Sequence, residues 1–221
     1  MRYALYAEVL ARCYSAVLMD VMDTLGARGQ AMSPDIRPLL PTMRCWGEAV
    51  TMRSVAVNAV PEHPFLLEMQ VLDALRPGQV LVSQCEAPAL SAFWGGLLSN
   101  AAVGRQAAGV ITEGGARDYV EIAALGFPVF CRGLTPLDSL GRMDGVARDV
   151  PIVCGGVGVA PGDLVFADVD GVVVVPQGIA EEVIARAGEK VRQPLAGEDI
   201  HGGRDFGGPL HQFAGGRPEH R

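Results

Sequence analysis

The stretch of residues 93–121, FWGGLLSNAAVGRQAAGVITEGGARDYVE, carries the clearest structural signals in the sequence, because glycine turns join helical and strand-like segments. The first turn is the pair Gly95-Gly96, and the residues after it, 97–106, are predicted to form a helix. Residues 109–112 (GVIT) have the length and apolar composition of a buried strand. A glycine turn lets the backbone approach a ligand closely, and the N–H groups at a helix start can bind an anion. The first half of the stretch therefore predicts an anion-binding turn.

The second half of the stretch carries charged side chains. The pair Gly114-Gly115 leads into Arg117 and Asp118, and a short predicted helix carries Glu121. An arginine can hold a carboxylate through two hydrogen bonds. Asp118 and Glu121 are three residues apart and share one helix face, and Mg²⁺ needs only one or two protein carboxylates because it keeps several waters. An aspartate at a helix start is also a common cap, so the spacing leaves a metal ligand and a helix cap as alternatives for Asp118.

Outward from this stretch, helices and strands alternate in the first part of the chain and strands cluster in the second. The other predicted helices cover residues 3–25, 63–75 and 179–191. The other predicted strands cover residues 47–57, 79–83 and 127–131, two short strands within 150–159, and a hairpin from 164–167 and 171–175. Residues 132–149 are predicted to be a loop. This order predicts a layered α/β domain with a mixed sheet rather than a doubly wound one.

The composition favours an oligomer and argues against two classes of partner. The chain has 221 residues, of which 49% are apolar and only 19% charged, so part of an apolar surface is expected to close against another subunit. Its net charge is −7 and no basic run occurs, which argues against nucleic acid as a partner. No apolar run approaches the length of about 18 residues that a membrane helix needs, so no membrane partner is expected.

The cysteines and the N-terminus indicate a cytoplasmic protein. No two of the five cysteines have CxxC spacing, and an odd number favours reduced, structural thiols. The cysteines are residues 13, 45, 85, 131 and 154. Charged residues interrupt the first twenty positions, which is not typical of a signal peptide.

The last residues differ in composition from the rest of the chain. Residues 197–221 are rich in glycine and hold three of the four histidines. We predict one domain over residues 1–196 and a C-terminal arm over residues 197–221 that is mobile or wraps a partner. The histidine spacing is not that of a zinc site.

Several other candidate residues are predicted to be structural. The run Gly155-Gly156-Val157-Gly158 follows a strand but leads to another strand, whereas a nucleotide-binding fingerprint needs a helix there. Aspartates on a solvated helix face, a loop histidine and aspartates flanking a hairpin turn are the remaining candidates. They are Asp20, Asp23, His63, Asp168 and Asp170.

Taken together, the motifs resemble the RraA-like family. The resemblance rests on the central stretch, on GFPVFCRG at 126–133 and on VPIVCGGVGVAPGDLVFADVDGVVVVP at 150–176. A glycine, twenty residues and then Arg-Asp-x-x-Glu is the most specific pattern, and Gly96, Arg117, Asp118 and Glu121 fit it.

The resemblance implies a β/β/α swivelling-domain fold and a homotrimer or homohexamer with active sites between subunits. The family includes class II pyruvate aldolases that act on 4-hydroxy-4-methyl-2-oxoglutarate or 4-carboxy-4-hydroxy-2-oxoadipate, and the regulator of ribonuclease activity A. The implied function is a metal-dependent lyase of 2-keto acids that cleaves such substrates or decarboxylates oxaloacetate to give pyruvate. The alternative is a non-catalytic, protein-binding regulator.

The resemblance also assigns roles to residues of this chain. Asp118 is expected to bind Mg²⁺ or Mn²⁺, with Glu121 beside it, and Glu189 from a neighbour's C-terminal helix to hold water on the metal. Arg117 is expected to bind the substrate and the developing enolate. The turn and the backbone N–H groups after it are expected to bind the keto-acid carboxylate. These are Gly95, Gly96, Leu97, Leu98 and Ser99.

One residue departs from the aldolase pattern. The aldolases commonly carry an acidic residue where this chain has Gly96. The departure favours oxaloacetate decarboxylation, because carbon dioxide leaves without a base having to deprotonate an alcohol. Glu113 in place of the more usual aspartate before the second glycine turn is a minor change.

Overall fold

A computed structural model describes residues 3–86 and 91–192 of the chain. Six α-helices occur in this part, and a short 3₁₀ turn, Ala4–Tyr6, precedes the first of them. The helices are α1 Ala7–Leu10, α2 Ser15–Thr24, α3 Leu66–Ala74, α4 Gly96–Gly104, α5 Tyr119–Leu125 and α6 Ala180–Arg192. The predicted arm, residues 197–221, and the domain boundary before it lie outside the described residues.

Twelve strands occur in the described part of the chain. They are β1 Arg37–Pro38, β2 Cys45–Ala56, β3 Gln79–Cys85, β4 Ala92–Trp94, β5 Gly109–Thr112, β6 Gly115–Ala116, β7 Val129–Cys131, β8 Met143–Arg148, β9 Ile152–Cys154, β10 Val157–Val159, β11 Leu164–Asp168 and β12 Gly171–Val175. The main sheet has the order β1-β7-β5-β3-β2-β11-β12, with β8 also paired to β2. Its central strands β2, β3, β5 and β7 are parallel, and its outer pairs are antiparallel. The predicted mixed sheet is confirmed.

Apolar clusters cover both faces of the main sheet. One face packs against α3, α4 and α5 around Trp94 and Phe127, whose rings stack with centroids 6.2 Å apart. The other face packs against the β9–β10 hairpin, and the β11–β12 hairpin is covered by α1, α2 and α6. Strand β5 is buried along its whole length, which is why it is a continuous apolar run in the sequence.

The predicted helix over residues 3–25 is wrong as one element, because it is broken between α1 and α2. Tyr14 is extended, with φ −137° and ψ 159°. The Arg44 guanidinium donates to the Leu10 and Ala11 carbonyls at the end of α1. At the start of α2, the Asp168 carboxylate accepts hydrogen bonds from the Ser15 N–H (2.8 Å) and Oγ (2.7 Å). Two distant charged side chains thus satisfy the helix ends that the break exposes.

Two further corrections concern the surroundings of the cleft described below. Residues 132–149 are not all loop, because β8 pairs antiparallel with β2 across a bulge. The face of α3 predicted to be apolar is buried only in part: Leu72 and Leu75 are buried, but Leu66 and Met69 are exposed. The predicted face consists of Phe65, Leu66, Met69, Leu72 and Leu75, whereas Glu68 and Val71 are also buried. The apolar side chains of Leu66 and Met69 therefore lie at the surface rather than in the core.

The described residues agree with two expectations from composition. All five cysteines are buried and free of disulfides. Burial raises the pKa of the Cys45 thiol to about 12 and that of Cys85 to about 11, so these thiols are protonated and inert. No helix among the described residues is long and apolar enough to cross a membrane.

Candidate active site

A small parallel sheet, β4 with β6, brings the two glycine turns side by side. Ala92 pairs with Gly115, and the Arg117 N–H donates to the Trp94 carbonyl at 2.9 Å. Because the chain leaves β4 at Gly95 and leaves β6 at Arg117, the first turn and the charged pair emerge at the same edge. The elements that the sequence separates by twenty residues are therefore neighbours.

The start of α4 offers backbone N–H groups to the cleft. The Gly96 N–H donates to Asp118 Oδ2 at 3.0 Å. Within the described residues, the N–H groups of Leu97 and Leu98 have no hydrogen-bond partner, as expected for the first turn of a helix. These two amides, together with the positive end of the helix, remain available to a carboxylate.

Ser99 has a different place from the one expected. Its N–H donates to the Gly95 carbonyl at 3.0 Å, so this amide belongs to the helix. Its hydroxyl accepts from Trp94 Nε1 at 2.8 Å and donates to the Gly95 carbonyl at 3.0 Å, and the residue is fully buried. Ser99 thus fixes the turn rather than presenting an N–H group to a ligand.

Asp118 is at the cap position of α5 but does not cap it. Its backbone is left-handed, with φ 60° and ψ 40°, a conformation that costs a non-glycine residue about 1–3 kcal/mol. Its side chain makes no capping hydrogen bond, and Oδ2 accepts from Gly96 instead. The helix-cap alternative is wrong, because the carboxylate points away from α5 and toward the start of α4.

Glu121 lies against the same glycine turn. A Cβ atom built on Gly96 would lie 2.1 Å from Glu121 Oε2, so a side chain at residue 96 would have to displace this carboxylate. The other oxygen, Oε1, accepts from Asn100 Nδ2 at 2.7 Å, and Asn100 also donates to the Gly96 carbonyl at 3.1 Å. Glycine 95 is similarly close to Asp118, whose Oδ2 would lie 2.9 Å from its Cβ. Both carboxylates therefore converge on the Gly95-Gly96 turn.

Arg117 is held between two carboxylates. Its Nε lies 3.8 Å from Asp118 Oδ2, and its Nη1 lies 3.4 Å from Asp138 Oδ2. Sequence reasoning missed Asp138, which falls in the segment predicted as a loop. An isolated bridge with Ala92 ties the Asp138 backbone to β4. The guanidinium is thus oriented from both sides while it stays partly open to solvent.

Arg117, Asp118 and Asp138 line one cleft of about 130 Å³, which is partly open to solvent. Its charged and polar groups lie beside apolar side chains from α3, β4 and α4. The lining residues are Phe65, Glu68, Met69, Ala92, Phe93, Trp94, Gly95, Leu97, Leu98, Arg117, Asp118, Asp138 and Ser139. A mostly apolar cleft with a few convergent polar groups is typical of small-molecule sites.

The donor atoms fit a hard divalent cation. No cluster of three or more His, Cys, Asp or Glu side chains that could hold a metal occurs in the described part of the chain. Asp118 and Glu121 offer carboxylate oxygens, and Asp118 Oδ1 has no hydrogen bond among these residues. Mg²⁺ accepts such a sparse set, because water or substrate completes its octahedron. Glu189 is exposed on α6, which packs against α1 and α2; its contribution to a neighbour's site remains a prediction.

The residues predicted to be structural lie outside this cleft. Asp168 caps α2, and its Oδ1 also accepts from the Asp170 N–H at 3.1 Å, as in a turn. Asp20 forms an exposed ion pair with Lys190 at 3.3 Å, and His63 lies exposed in a loop. The Gly155-Gly156 run turns β9 into β10, so the nucleotide-binding interpretation is correctly rejected.

The mixed sheet and a cleft that joins a helix start, an arginine and two carboxylates define an α/β domain of the aldolase and ribonuclease-regulator class. The chain belongs to the RraA-like family: the family model described as Aldolase/RraA matches residues 15–174. The predicted family and its fold are confirmed.

Individual relatives agree with this assignment. The chain is 33% identical over 160 residues to a protein of Halalkalibacterium halodurans named "Putative 4-hydroxy-4-methyl-2-oxoglutarate aldolase", with 72% of each chain covered. It is 29% identical over 177 residues to DlpA of Legionella pneumophila, which covers 80% of this chain but only 28% of DlpA. The crystal structure of Streptomyces coelicolor RraAS2, described as an unusual member of the RNase ES inhibitor RraA family, superposes with a TM-score of 0.74. It is 30% identical, with 86% of this chain and 93% of that chain covered.

Proposed function

We propose that this chain is a divalent-metal-dependent lyase of 2-keto acids that releases pyruvate by retro-aldol cleavage, oxaloacetate decarboxylation or both. The observation that carries the proposal is the convergence of Arg117 and Asp118 on the open start of α4. The aldolase names of relatives that are about one third identical support the same class.

Substrate binding follows from the charges of the cleft. The carboxylate of a 2-keto acid accepts hydrogen bonds from the Leu97 and Leu98 N–H groups, where the helix dipole favours an anion. The apolar side chains of Leu97 and Trp94 line the cleft beside this carboxylate and contact the rest of the acid. The proposed binding residues are therefore Gly95, Gly96, Leu97, Leu98 and Arg117, without the N–H of Ser99.

Bond cleavage needs positive charge where the enolate forms. A magnesium or manganese ion held by Asp118 would supply Lewis acidity to the keto oxygen. Arg117 adds a fixed positive charge beside that oxygen, and its ion pair with Asp138 keeps it oriented before the substrate arrives. The Gly96 N–H holds Asp118 Oδ2, which leaves Oδ1 for the metal.

The two reactions make different demands on this cleft. Retro-aldol cleavage requires a base for the substrate alcohol, whereas decarboxylation requires none. Glu121, positioned by Asn100 over Gly96, is the carboxylate that takes the space of a side chain at residue 96. Because residue 96 is a glycine and carries no acid of its own, we propose oxaloacetate decarboxylation as the more favourable reaction, with Glu121 beside the metal.

The proposed assembly is a homotrimer or homohexamer with Glu189 of one subunit at the site of the next. Exposed apolar side chains beside Arg117 support it, because such a patch is unusual on a monomer. They are Leu97, Tyr119, Val120, Leu134 and Leu137. Light scattering should give three or six times the chain mass, and a monomer would contradict this part of the proposal. The free, buried cysteines support a cytoplasmic location.

The experiment is a pyruvate-release assay on oxaloacetate and on 4-hydroxy-4-methyl-2-oxoglutarate, with Mg²⁺ or Mn²⁺ and with a chelator. The background from free metal is subtracted. Arg117→Ala should lose about 100-fold or more in turnover, whereas Arg186→Ala, which removes only a surface pair with Glu182, should not. No chelator-sensitive release from either acid would contradict the proposal.

The second candidate is a non-catalytic regulator that binds another protein. The fold similarity to Streptomyces coelicolor RraAS2 favours it, because that protein is described as a member of an RNase inhibitor family. A regulator requires no metal ligand, so the strained Asp118 beside Arg117 would have no use. Inhibition of a ribonuclease by wild type and by Arg117→Ala alike, without lyase turnover, would support this candidate.

A further inference from the structure

A buried acid lines the wall of the cleft that α3 provides. Glu68 is only 5% exposed, and its Oε2 has no hydrogen-bond partner among the described residues. It lies in the same cleft as Arg117 and Asp118, between Phe65 and Met69 of its own segment. No ion pair of Glu68 occurs in the described part of the chain.

The surroundings of Glu68 favour its neutral form. Burial raises the pKa of this carboxyl, and the nearby Asp144 carboxylate raises it further. Backbone hydrogen bonds at Glu68 itself and at Gly145 lower it, but they do not reverse the shift. The direction of the pKa shift therefore favours the protonated acid of Glu68 over its carboxylate.

Packing alone does not favour an acid at this position. A buried carboxyl with an unsatisfied oxygen destabilises a fold, and an apolar side chain would pack better on a helix that already buries Val71 and Leu72. The other acids of the cleft are engaged, since Asp118 accepts from Gly96 and Asp138 pairs with Arg117. Of the acids that line the cleft, Glu68 is the one contributed by α3.

We propose that Glu68 is a catalytic residue that donates the proton to C3 of the pyruvate enolate. This inference rests on the proposed lyase function. As the C3–C4 bond breaks, its electron pair forms the C2=C3 bond and the charge collects on the C2 oxygen beside Arg117. The Glu68 O–H bond then breaks, the C2=C3 pair takes the proton to form C3–H, and the keto group returns. Water from solvent then reprotonates the Glu68 carboxylate, which returns the residue to its starting form.

The separation of the two groups suits this chemistry. Arg117 must stabilise charge on oxygen, and a donor next to that oxygen would yield the enol instead of the ketone. Glu68 belongs to α3 whereas Arg117 follows β6, so the proposed donor and the guanidinium come from different elements of the cleft. General acids of this kind contribute about 100-fold to 10,000-fold to a rate.

The test measures proton transfer separately from bond cleavage. Wild type, Glu68→Gln and the exposed control Glu62→Gln are loaded with Mg²⁺ and incubated with pyruvate in heavy water. Deuterium uptake into the methyl group of this pyruvate is followed. Carbon dioxide release from oxaloacetate is measured in parallel. We expect Glu68→Gln to lose about 100-fold or more in deuterium uptake, to lose much less in carbon dioxide release, and to bind oxalate unchanged. Glu62→Gln should match wild type.

Each outcome decides between the two proposals. Equal uptake in wild type and Glu68→Gln overturns the donor role and leaves the lyase intact. An equal loss in both assays also overturns it, because that pattern indicates a merely structural residue. Wild type inactive in both assays overturns the proposed function, and the donor with it. Should Glu68→Gln fail to fold, Glu68→Asp, which keeps an acid one methylene further back, should retain partial uptake; full uptake or none would reject the donor.

Discussion

Two glycine pairs in this chain look alike in sequence and differ in the structure. Gly155 and Gly156 have φ of +57° and +81° and turn β9 into β10. Gly95 and Gly96 adopt backbone conformations open to any residue, but Asp118 and Glu121 lie where their side chains would be. The backbone conformation favours glycine at residues 155 and 156, whereas glycine at residues 95 and 96 leaves space for the two carboxylates that approach the turn.

The difference shows how a glycine turn becomes a site. At Gly155-Gly156 the chain reverses into a short hairpin, and no charged side chain crowds the second glycine. At Gly95-Gly96 a helix begins, so unpaired N–H groups and two carboxylates meet at one point. Stability should therefore respond to substitutions at the hairpin turn, and activity to those at the helix start.

The largest expected effect is on turnover, and it distinguishes two aspartates that share a left-handed backbone. Asp118 has φ 60° beside the helix start, and Asp149 has φ 54° just before β9. Asp118→Asn keeps the shape but removes the charge that we propose binds the metal, so metal-dependent turnover should fall about 100-fold or more. Asp149→Asn should leave turnover unchanged, because this exposed residue has only a long ion pair with Arg148.

Steady-state pyruvate release with saturating Mg²⁺ measures both variants, and calorimetry checks that both remain folded. Turnover that survives in Asp118→Asn would remove this carboxylate from the site. An equal loss in both variants would mean that the left-handed backbone, rather than the charge, matters.

The next effect compares alanine at the two glycine pairs. Gly96→Ala places a methyl group against Glu121 Oε2 and displaces that carboxylate, so turnover should fall about 10-fold to 100-fold with little loss of stability. Gly156→Ala meets no neighbour but must adopt a left-handed backbone, which should lower the free energy of unfolding by about 1–2 kcal/mol. Gly158→Ala, with open space and no positive φ, is the control and should change neither.

Urea unfolding and pyruvate release, measured on the same preparations, test whether Gly96→Ala lowers activity and Gly156→Ala lowers stability. If Gly156→Ala lost activity while Gly96→Ala lost only stability, the distinction between the two glycine pairs would be wrong.

Residue periodicity was sufficient to predict most strands of the main sheet. The strand over 109–112 is fully buried, the hairpin strands 164–168 and 171–175 are buried apart from Gly171, and all were located correctly between turn residues. The break between α1 and α2 could not be predicted, because it depends on Arg44 and Asp168, which are distant in sequence. Strand β8 was missed because it is half exposed and lacks an apolar run.

The candidate site was predictable only in part, for a similar reason. Arg117 and Asp118 stand out because charged residues follow a glycine turn. Asp138 gives no such signal, since a bridge to β4 brings it to the cleft. Glu68 did leave a signal that was overlooked: it precedes Val71, Leu72 and Leu75 at the three-, four- and seven-residue spacing of a buried helix face.

A smaller effect is expected at Asn100, which touches Glu121 but no substrate. Its amide donates to Glu121 Oε1 and to the Gly96 carbonyl, so it holds this carboxylate over the turn. Asn100→Ala should reduce turnover about 10-fold and weaken Mg²⁺ binding to a similar extent. Isothermal titration with Mg²⁺ and pyruvate release measure the two losses. Unchanged metal affinity would show that Glu121 needs no such support.

The smallest expected effect is on stability, and it compares the cleft acid with its uncharged counterpart. Because burial raises the pKa of Glu68 in the folded chain above its unfolded value, ionisation of this group favours unfolding as pH rises. Below the unfolded pKa, about 4.3, both states are protonated and Glu68→Gln should match wild type. Above it, Glu68→Gln should become the more stable protein, by an amount that grows until pH passes the folded pKa. Urea unfolding at a series of pH values measures the difference. A constant offset at all pH values would mean that Glu68 does not titrate differently in the fold, and the neutral acid that the cleft chemistry requires would lose its support.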